Sequence, residues 1–316
     1  MCTRRVSMLI VSMALVLLAS CGGNGGGGTT PSPAPNTATL PITADNAQDI
    51  TVAVFEAVTS TIDIIDIVDL IGIPAISGTN SGLAAPVPSD ILMVIACDTG
   101  EATVTWNDAD NNSVISTGDT FDVVFDMCFF ADSGATLTGA TSLTNMVVTG
   151  DPITQIAPWG LAITFGFDNL SATDDGGLAT INGSLDLDLG SDDNVIVNLS
   201  IGTASLSAQA SGITETLSDY VLTQTLDLNA LTQVISTSGT LTSTLLEGNV
   251  TFETLQDFIV FGDDNPSAGQ LLIRDSSSSV LVTVRDNISI QLEIDLNLDG
   301  TIDETIVATW AELDID

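Results

Sequence analysis

The chain has 316 residues, of which 41 are acidic and four are basic, and its formal charge is −37. All four cations are arginines, so lysine and histidine are both absent, which removes Ser-His-Asp and Cys-His catalysis, Schiff-base chemistry, the usual zinc sites and the P-loop lysine. A field of this sign repels phosphates and anionic head groups, so nucleic acid is excluded as a partner and solvated cations and saline media are favoured.

The chain opens with Arg4 and Arg5, runs uncharged and apolar over residues 6–18, and then reads Leu18-Ala19-Ser20-Cys21. The apolar run is shorter than the roughly 20 residues a helix needs to cross a bilayer core. Small residues before a cysteine point to cleavage there. The segment resembles the lipobox of bacterial lipoproteins, which implies a signal peptide over residues 1–20 and acylation of Cys21 as the new N-terminus. Several acyl chains on one cysteine give a stable anchor, since each buried CH₂ contributes about 0.8 kcal/mol. Gly22 rather than an aspartate follows Cys21, and within this resemblance that favours the outer membrane. The expected address is the cell envelope, with the lipid bilayer as partner through Cys21. Once Arg4 and Arg5 leave, Arg274 and Arg285 face all 41 acids.

Residues 21–43 are dominated by Gly, Ser, Thr, Pro and Asn, too few of them apolar to fold, and read as a tether. The remainder, residues 44–316, is expected to form one β-rich domain. A helical segment is predicted over about 45–71, where Ile50, Val54, Ala57 and Val58, then Ile62, Ile65 and Val68, recur at helical spacing. Thr43 or Asp45 can cap its start, and Gly72 with Pro74 ends it. Its many β-branched residues lose χ1 freedom in a helix, so strand is the alternative for its second part. Residues 75–90 read as a loop.

From Ile91 onward the pattern changes to short runs of period two. The clearest are Leu185-Asp186-Leu187-Asp188-Leu189 and Ile288-Ser289-Ile290-Gln291-Leu292-Glu293-Ile294, and others lie at 103–106, 121–125, 161–167, 195–201, 222–228, 241–245, 250–255 and 280–284. Alternation of this kind suits half-buried strands. Turns are marked by Asp174-Asp175-Gly176-Gly177, residues 190–194 and Glu247-Gly248-Asn249. Their spacing leaves no room for the crossovers that parallel pairing needs. The expected fold is therefore mainly β: an antiparallel sheet over about 91–316, sandwich or curved half-barrel, with one or two N-terminal helices packed on it. A phrase of Gly, small polar residue and Leu recurs at Gly139, Gly183 and Gly239 at unequal intervals, and reads as hairpin grammar.

With Cys2 lost and Cys21 lipidated, Cys97 and Cys128 remain to pair. Across a loop of about 30 residues in an oxidising periplasm, such a bridge stabilises by roughly 3 kcal/mol.

The chemical signal lies in two acidic loops. In Asp295-Leu296-Asn297-Leu298-Asp299-Gly300-Thr301-Ile302-Asp303-Glu304, oxygen side chains alternate and a glycine follows the third. The loop resembles the DxDxDG calcium loop, which implies Asp295, Asn297 and Asp299 as side-chain ligands, the Thr301 carbonyl as backbone ligand, and Asp303 or Glu304 closing the shell. Ile306 stands at the twelfth position, where that motif has a bidentate Glu, and both flanks read as strands. The second loop carries Asp108, Asp110 and Asn112 with Asp119 at the twelfth position, and has Ser113 where the glycine is expected. A hard cation taking six to eight oxygens suits such clusters, and calcium is the expected cofactor. Asp and Asn also favour turns through their own backbone hydrogen bonds, which is the purely structural account of both loops.

No catalytic signature accompanies the acids. The expected function is a non-catalytic, lipid-anchored envelope lipoprotein, calcium-binding, with a structural or binding role. Two other readings remain: a carrier of an apolar ligand in a curved-sheet groove, and a carboxylate-dependent hydrolase, which needs two acids about 5 to 9 Å apart.

Overall fold

A computed structural model describes residues 40–63, 90–95, 97–112, 115–131, 134–151, 156–174, 177–262 and 265–313. The signal peptide, Cys21, most of the tether, residues 64–71 of the expected helical segment and the loop at 75–89 lie outside the described residues.

Among the described residues one α-helix, α1 (Ala47–Asp63), stands before the strands. Neither Thr43 nor Asp45 supplies a side-chain cap to it. The Asn46 side chain instead accepts from the Thr43 N–H and donates to the Pro41 carbonyl, and the Thr43 carbonyl takes the Ala47 N–H. This fixes the turn that starts the helix. From Ile50 to Thr61 nearly every described position of α1 is buried, so its hydroxyls must bond internally. Thr51 donates to the Ala47 carbonyl and Ser60 to that of Glu56, each at 2.7 Å.

Among the described residues fourteen strands follow, each hydrogen-bonded to the next in chain order. They are β1 (Asp90–Ile95), β2 (Thr99–Asn107), β3 (Thr120–Phe130), β4 (Ala135–Asp151), β5 (Ile156–Asp174), β6 (Gly177–Ser191), β7 (Ile196–Ala210), β8 (Ile213–Asp227), β9 (Thr232–Ser243), β10 (Gly248–Phe261), β11 (Ala268–Arg274), β12 (Ser279–Val284), β13 (Ser289–Asp295) and β14 (Glu304–Thr309). The pairing is antiparallel, as the absence of crossover room requires. The expected mainly-β antiparallel sheet with a helix packed on it is thus the fold.

Several strands are far longer than the usual five or six residues, and the chain accommodates this with bulges. In Phe125-Asp126-Met127-Cys128, Leu143-Thr144-Asn145-Met146, Phe167-Asp168-Asn169-Leu170 and Leu217-Ser218-Asp219-Tyr220, two residues separate inward-facing side chains where strict alternation would leave one. The third residue of each tetrad is left-handed, with φ between 48° and 54°. The register shifts at the same places, so the extra residue is absorbed and the apolar face stays inward. Gly139 lies across from one bulge: a Cβ there would strike the Asn169 carbonyl, and its φ of 100° also demands glycine.

The chain divides into two compact units, the first over Thr61–Ile201 with Ala208–Ser211, the second including the chain up to Ser60, Gly202–Ser207 and Gly212–Asp316. In the first unit Ala102, Cys128, Phe130, Leu137 and Ala172 form an apolar cluster joined by Cys97 and Phe125. The expected disulfide is present there, with Cα atoms 5.2 Å apart and the cysteines 31 positions apart in sequence. In the second unit Val280, Val282, Ile290, Leu292 and Ile294 bury completely on one face, each contributing roughly 1.5–3 kcal/mol. Phe55 of α1 meets Phe258 and Trp310 edge-on at 5.6 and 5.5 Å, which seats the helix on this unit.

Candidate metal centre

Both acidic loops join antiparallel neighbours: one links β2 to β3 and the other β13 to β14. Each is therefore strand-loop-strand, as the flanking alternation predicted. The loops also share a backbone. The residue after the second oxygen ligand is left-handed in both, Asn111 at φ 57° and Leu298 at φ 57°. That reversal turns the next N–H back toward the preceding side chain, so Asn112 donates to Asp110 and Asp299 donates to Asn297, at 3.2 and 2.9 Å.

In the first loop, Trp106 and Phe121 stack with centroids 5.8 Å apart at the neck of the hairpin, and the Trp106 indole N–H donates to Asp119 Oδ2 at 3.3 Å. Asp119 has no exposed surface. A carboxylate in such a place needs several donors, and it has them: the Ala109 N–H at 2.9 Å, the Ser116 N–H at 2.9 Å and the Ser116 hydroxyl at 3.4 Å join the indole. The bulge at Asn145 positions this segment further, because the Met146 carbonyl accepts the Gly118 N–H, while Thr117 both donates to the Val148 carbonyl and accepts its N–H. Asp119 is thereby carried back over Asp108 and Asp110, and one oxygen from each of the three lies within 4.8 Å of the others. Asp108 is 8% exposed, so the cluster is half sunk into the hairpin end. Among the described residues no other three acids converge in this way. Asn112, also expected as a ligand, closes the turn by donating to Asp108 and Asp110.

The C-terminal loop is arranged around Asp295. Its two oxygens accept the Asn297 N–H at 3.2 Å and the Gly300 N–H at 2.9 Å. Burial pushes this carboxyl up, but the N–H groups of Gly300, Asn297, Leu298 and Asp299 together outweigh it and hold it below the ordinary aspartate value. Asp299 accepts the Thr301 N–H, and Asp303 accepts the Leu296 N–H while donating its own N–H to the Ile294 carbonyl. Glu304 is the first residue of β14 and exposed. Ile306 pairs with Leu292 in the sheet, so the twelfth position does not return to the loop. Oxygens of Asp295, Asn297 and Asp299 are each aligned by a backbone donor, whereas the closing acid is drawn to the loop backbone.

Elsewhere acids close turns. Asp193 accepts from Ile196 and Val195, Asp227 from Asn229 and Ala230, Asp275 from Ser277 and Ser278, and Asp286 from Ile288 and Ser289. These donors hold the Asp193 and Asp286 carboxyls below their ordinary range. A share of the acidity is thus turn chemistry.

Sequence reasoning missed two buried acids, Glu56 and Glu215. Glu215 lies in phase with Leu217 on the inward side of β8, and an acid at an inward position of an alternating strand is the signal that could have found it.

No protein-family model matches this chain, no curated protein is similar to it, and no solved structure matches its fold.

Proposed function

We propose that this chain is a non-catalytic, lipid-anchored envelope lipoprotein that binds calcium and acts through its β-sheet in a structural or binding role. The observation that carries the metal reading is the convergence of Asp108, Asp110 and Asp119 at the β2–β3 hairpin end. Hard, anionic oxygens gathered by a tight turn are what calcium takes, and the acidic field of the whole chain raises cation concentration around them. The C-terminal loop supplies a second set in Asp295, Asn297, Asp299 and the Thr301 carbonyl, with Asp303 and Glu304 adjacent. The Cys97–Cys128 disulfide fits export to an oxidising compartment, as the lipobox at Cys21 implies. The carrier alternative needs an apolar face left open for its ligand; Phe55 of α1, set between Phe258 and Trp310, favours the binding or structural role instead.

The test is thermal unfolding of the mature detergent-solubilised protein against calcium concentration, beside Asp110→Asn and Asp299→Ala. A ligand at a hundred times its dissociation constant stabilises by about 2.7 kcal/mol. Asp110→Asn is expected to remove most of the response and Asp299→Ala a smaller part. If the wild-type midpoint does not move at millimolar calcium, the metal reading fails. Mass spectrometry of native material showing an unmodified start, or one elsewhere than Cys21, would sink the anchoring.

A further inference from the structure

The chain enters the second unit at one end of its strands. Leu40 donates its N–H to the Asn249 carbonyl at the start of β10, and Ile42 donates its own to the Ser278 hydroxyl between β11 and β12, at 2.6 Å. The C-terminal loop stands at the same end, because Ser279, next to Ser278, pairs with Asp295 at the end of β13. In that loop Leu296, Leu298 and Ile302 are 40%, 45% and 44% exposed. A single exposed apolar side chain is ordinary, but three within one short loop form a patch.

We propose that this end of the second unit lies against the bilayer, with Leu296, Leu298 and Ile302 entering the headgroup boundary once calcium neutralises the acids around them. The proposal rests on the anchoring and calcium readings above and adds the surface on which both act. Residues 22–39 alone separate Leu40 from Cys21, and a tether of that length and composition averages about 25 Å end to end. With Cys21 acylated, a phospholipid surface is the neighbour that this end meets first, and its acyl boundary takes up exposed Leu and Ile side chains.

Charge sets the condition. Asp295, Asp299, Asp303 and Glu304 stand among the apolar side chains, and bare carboxylates are repelled by phosphate headgroups. Calcium reverses that sign. It takes six to eight oxygens, and with Ile306 committed to the sheet the loop leaves part of that shell for a headgroup phosphate oxygen. The far end of the same strands also carries exposed apolar side chains, in Leu231, Phe261 and Ile288. They lie roughly 40 Å along β10 from the point of entry, beyond the average span of the tether.

The experiment uses the mature acylated chain in vesicles of phosphatidylethanolamine and phosphatidylglycerol with brominated acyl chains. Bromine quenches an indole that reaches the acyl boundary, and the native Trp106, Trp159 and Trp310 are buried. Leu296→Trp is expected to lose most of its added emission at millimolar calcium and to regain it in chelator, while Phe261→Trp keeps its emission in both. Ile302→Trp is read beside it, so the result does not depend on one substitution. Adding Asp299→Ala to either reporter in the loop is expected to abolish the loss. If neither loop reporter is quenched although the thermal midpoint responds to calcium, the proposal is overturned and the calcium reading stands; if the midpoint is also unmoved, both fall. Equal quenching of Phe261→Trp, or quenching indifferent to calcium, overturns the proposal as well. A chain that leaves the vesicles in calcium and chelator alike is not anchored, and the proposal falls with the anchor.

Discussion

Asp108 and Asp295 each begin a turn in which the third residue offers a side-chain oxygen and the fourth is left-handed, yet the twelfth residues do opposite things. Asp119 is folded back onto its loop, buried and held by Trp106, Ala109 and Ser116, whereas Ile306 is spent on pairing with Leu292 in the sheet. The difference begins in connection length. β3 starts only at Thr120, which leaves the first loop enough chain to return over its own acids, while β14 starts at Glu304 and the second loop must re-enter the sheet early. Shared local chemistry sets the opening of a calcium-type loop; the strand that follows decides whether its last ligand arrives.

The largest break in this comparison is expected at Asp119. Asp119→Ala strips one acceptor from three N–H donors and a hydroxyl in a place without solvent, and leaving such groups unpaired costs about 1–3 kcal/mol each at most sites, with partial relaxation. Its unfolding free energy in urea should fall by roughly 3 kcal/mol or more. The matching Asp303→Ala removes a single acceptor from an exposed N–H and is expected to stay within about 1 kcal/mol. Equal losses for the two variants would mean that Asp119 is an ordinary turn acid.

A middle-sized effect is expected at Gly300. Its φ is 82°, and nothing lies within 4 Å of an added Cβ, so Gly300→Ala isolates the backbone strain of the left-handed conformation. About 1 kcal/mol of lost stability is the expected result, with the Gly300 N–H still donating to Asp295. A neutral outcome would show that the loop re-forms by another route, and that the two loops are less alike than their left-handed fourth residues suggest.

What the amino-acid order disclosed follows from where the physics is local. Strict alternation exposed β6, β12 and β13, and Asp-Gly turns marked the β5–β6 hairpin, because burial of one face and turn geometry are both nearest-neighbour effects. β4, rich in Thr and Gly, and the shorter β11 lacked clear alternation and went unmarked, while β14 was legible only as the flank of the C-terminal acidic loop. The bulges were present in plain view as tetrads such as Phe167-Asp168-Asn169-Leu170, but they break period two and so read as strand ends. In the acidic loops, residue types were legible and convergence was not: that Asp119 returns to Asp108 depends on Met146 and Val148 of a different hairpin.

The smallest and sharpest test uses acid. The Asp295 carboxyl is pushed up by burial and pulled down further by the N–H groups of Gly300, Asn297, Leu298 and Asp299, so its net value lies below the ordinary one. For a lowered carboxyl the stabilisation is present above the unfolded value and is lost as pH falls through the folded one, which places the window below about 4. The C-terminal loop should therefore loosen in acid. The amide resonance of Gly300 reports this locally, so Asp286, at the other end of β13 and with its carboxyl lowered in the same direction, does not confound it. In Asp295→Asn the resonance is expected to lose its acid transition. If the transition persists unchanged in that variant, the loop is not organised around Asp295, and its likeness to the Asp108 loop ends at the left-handed residue.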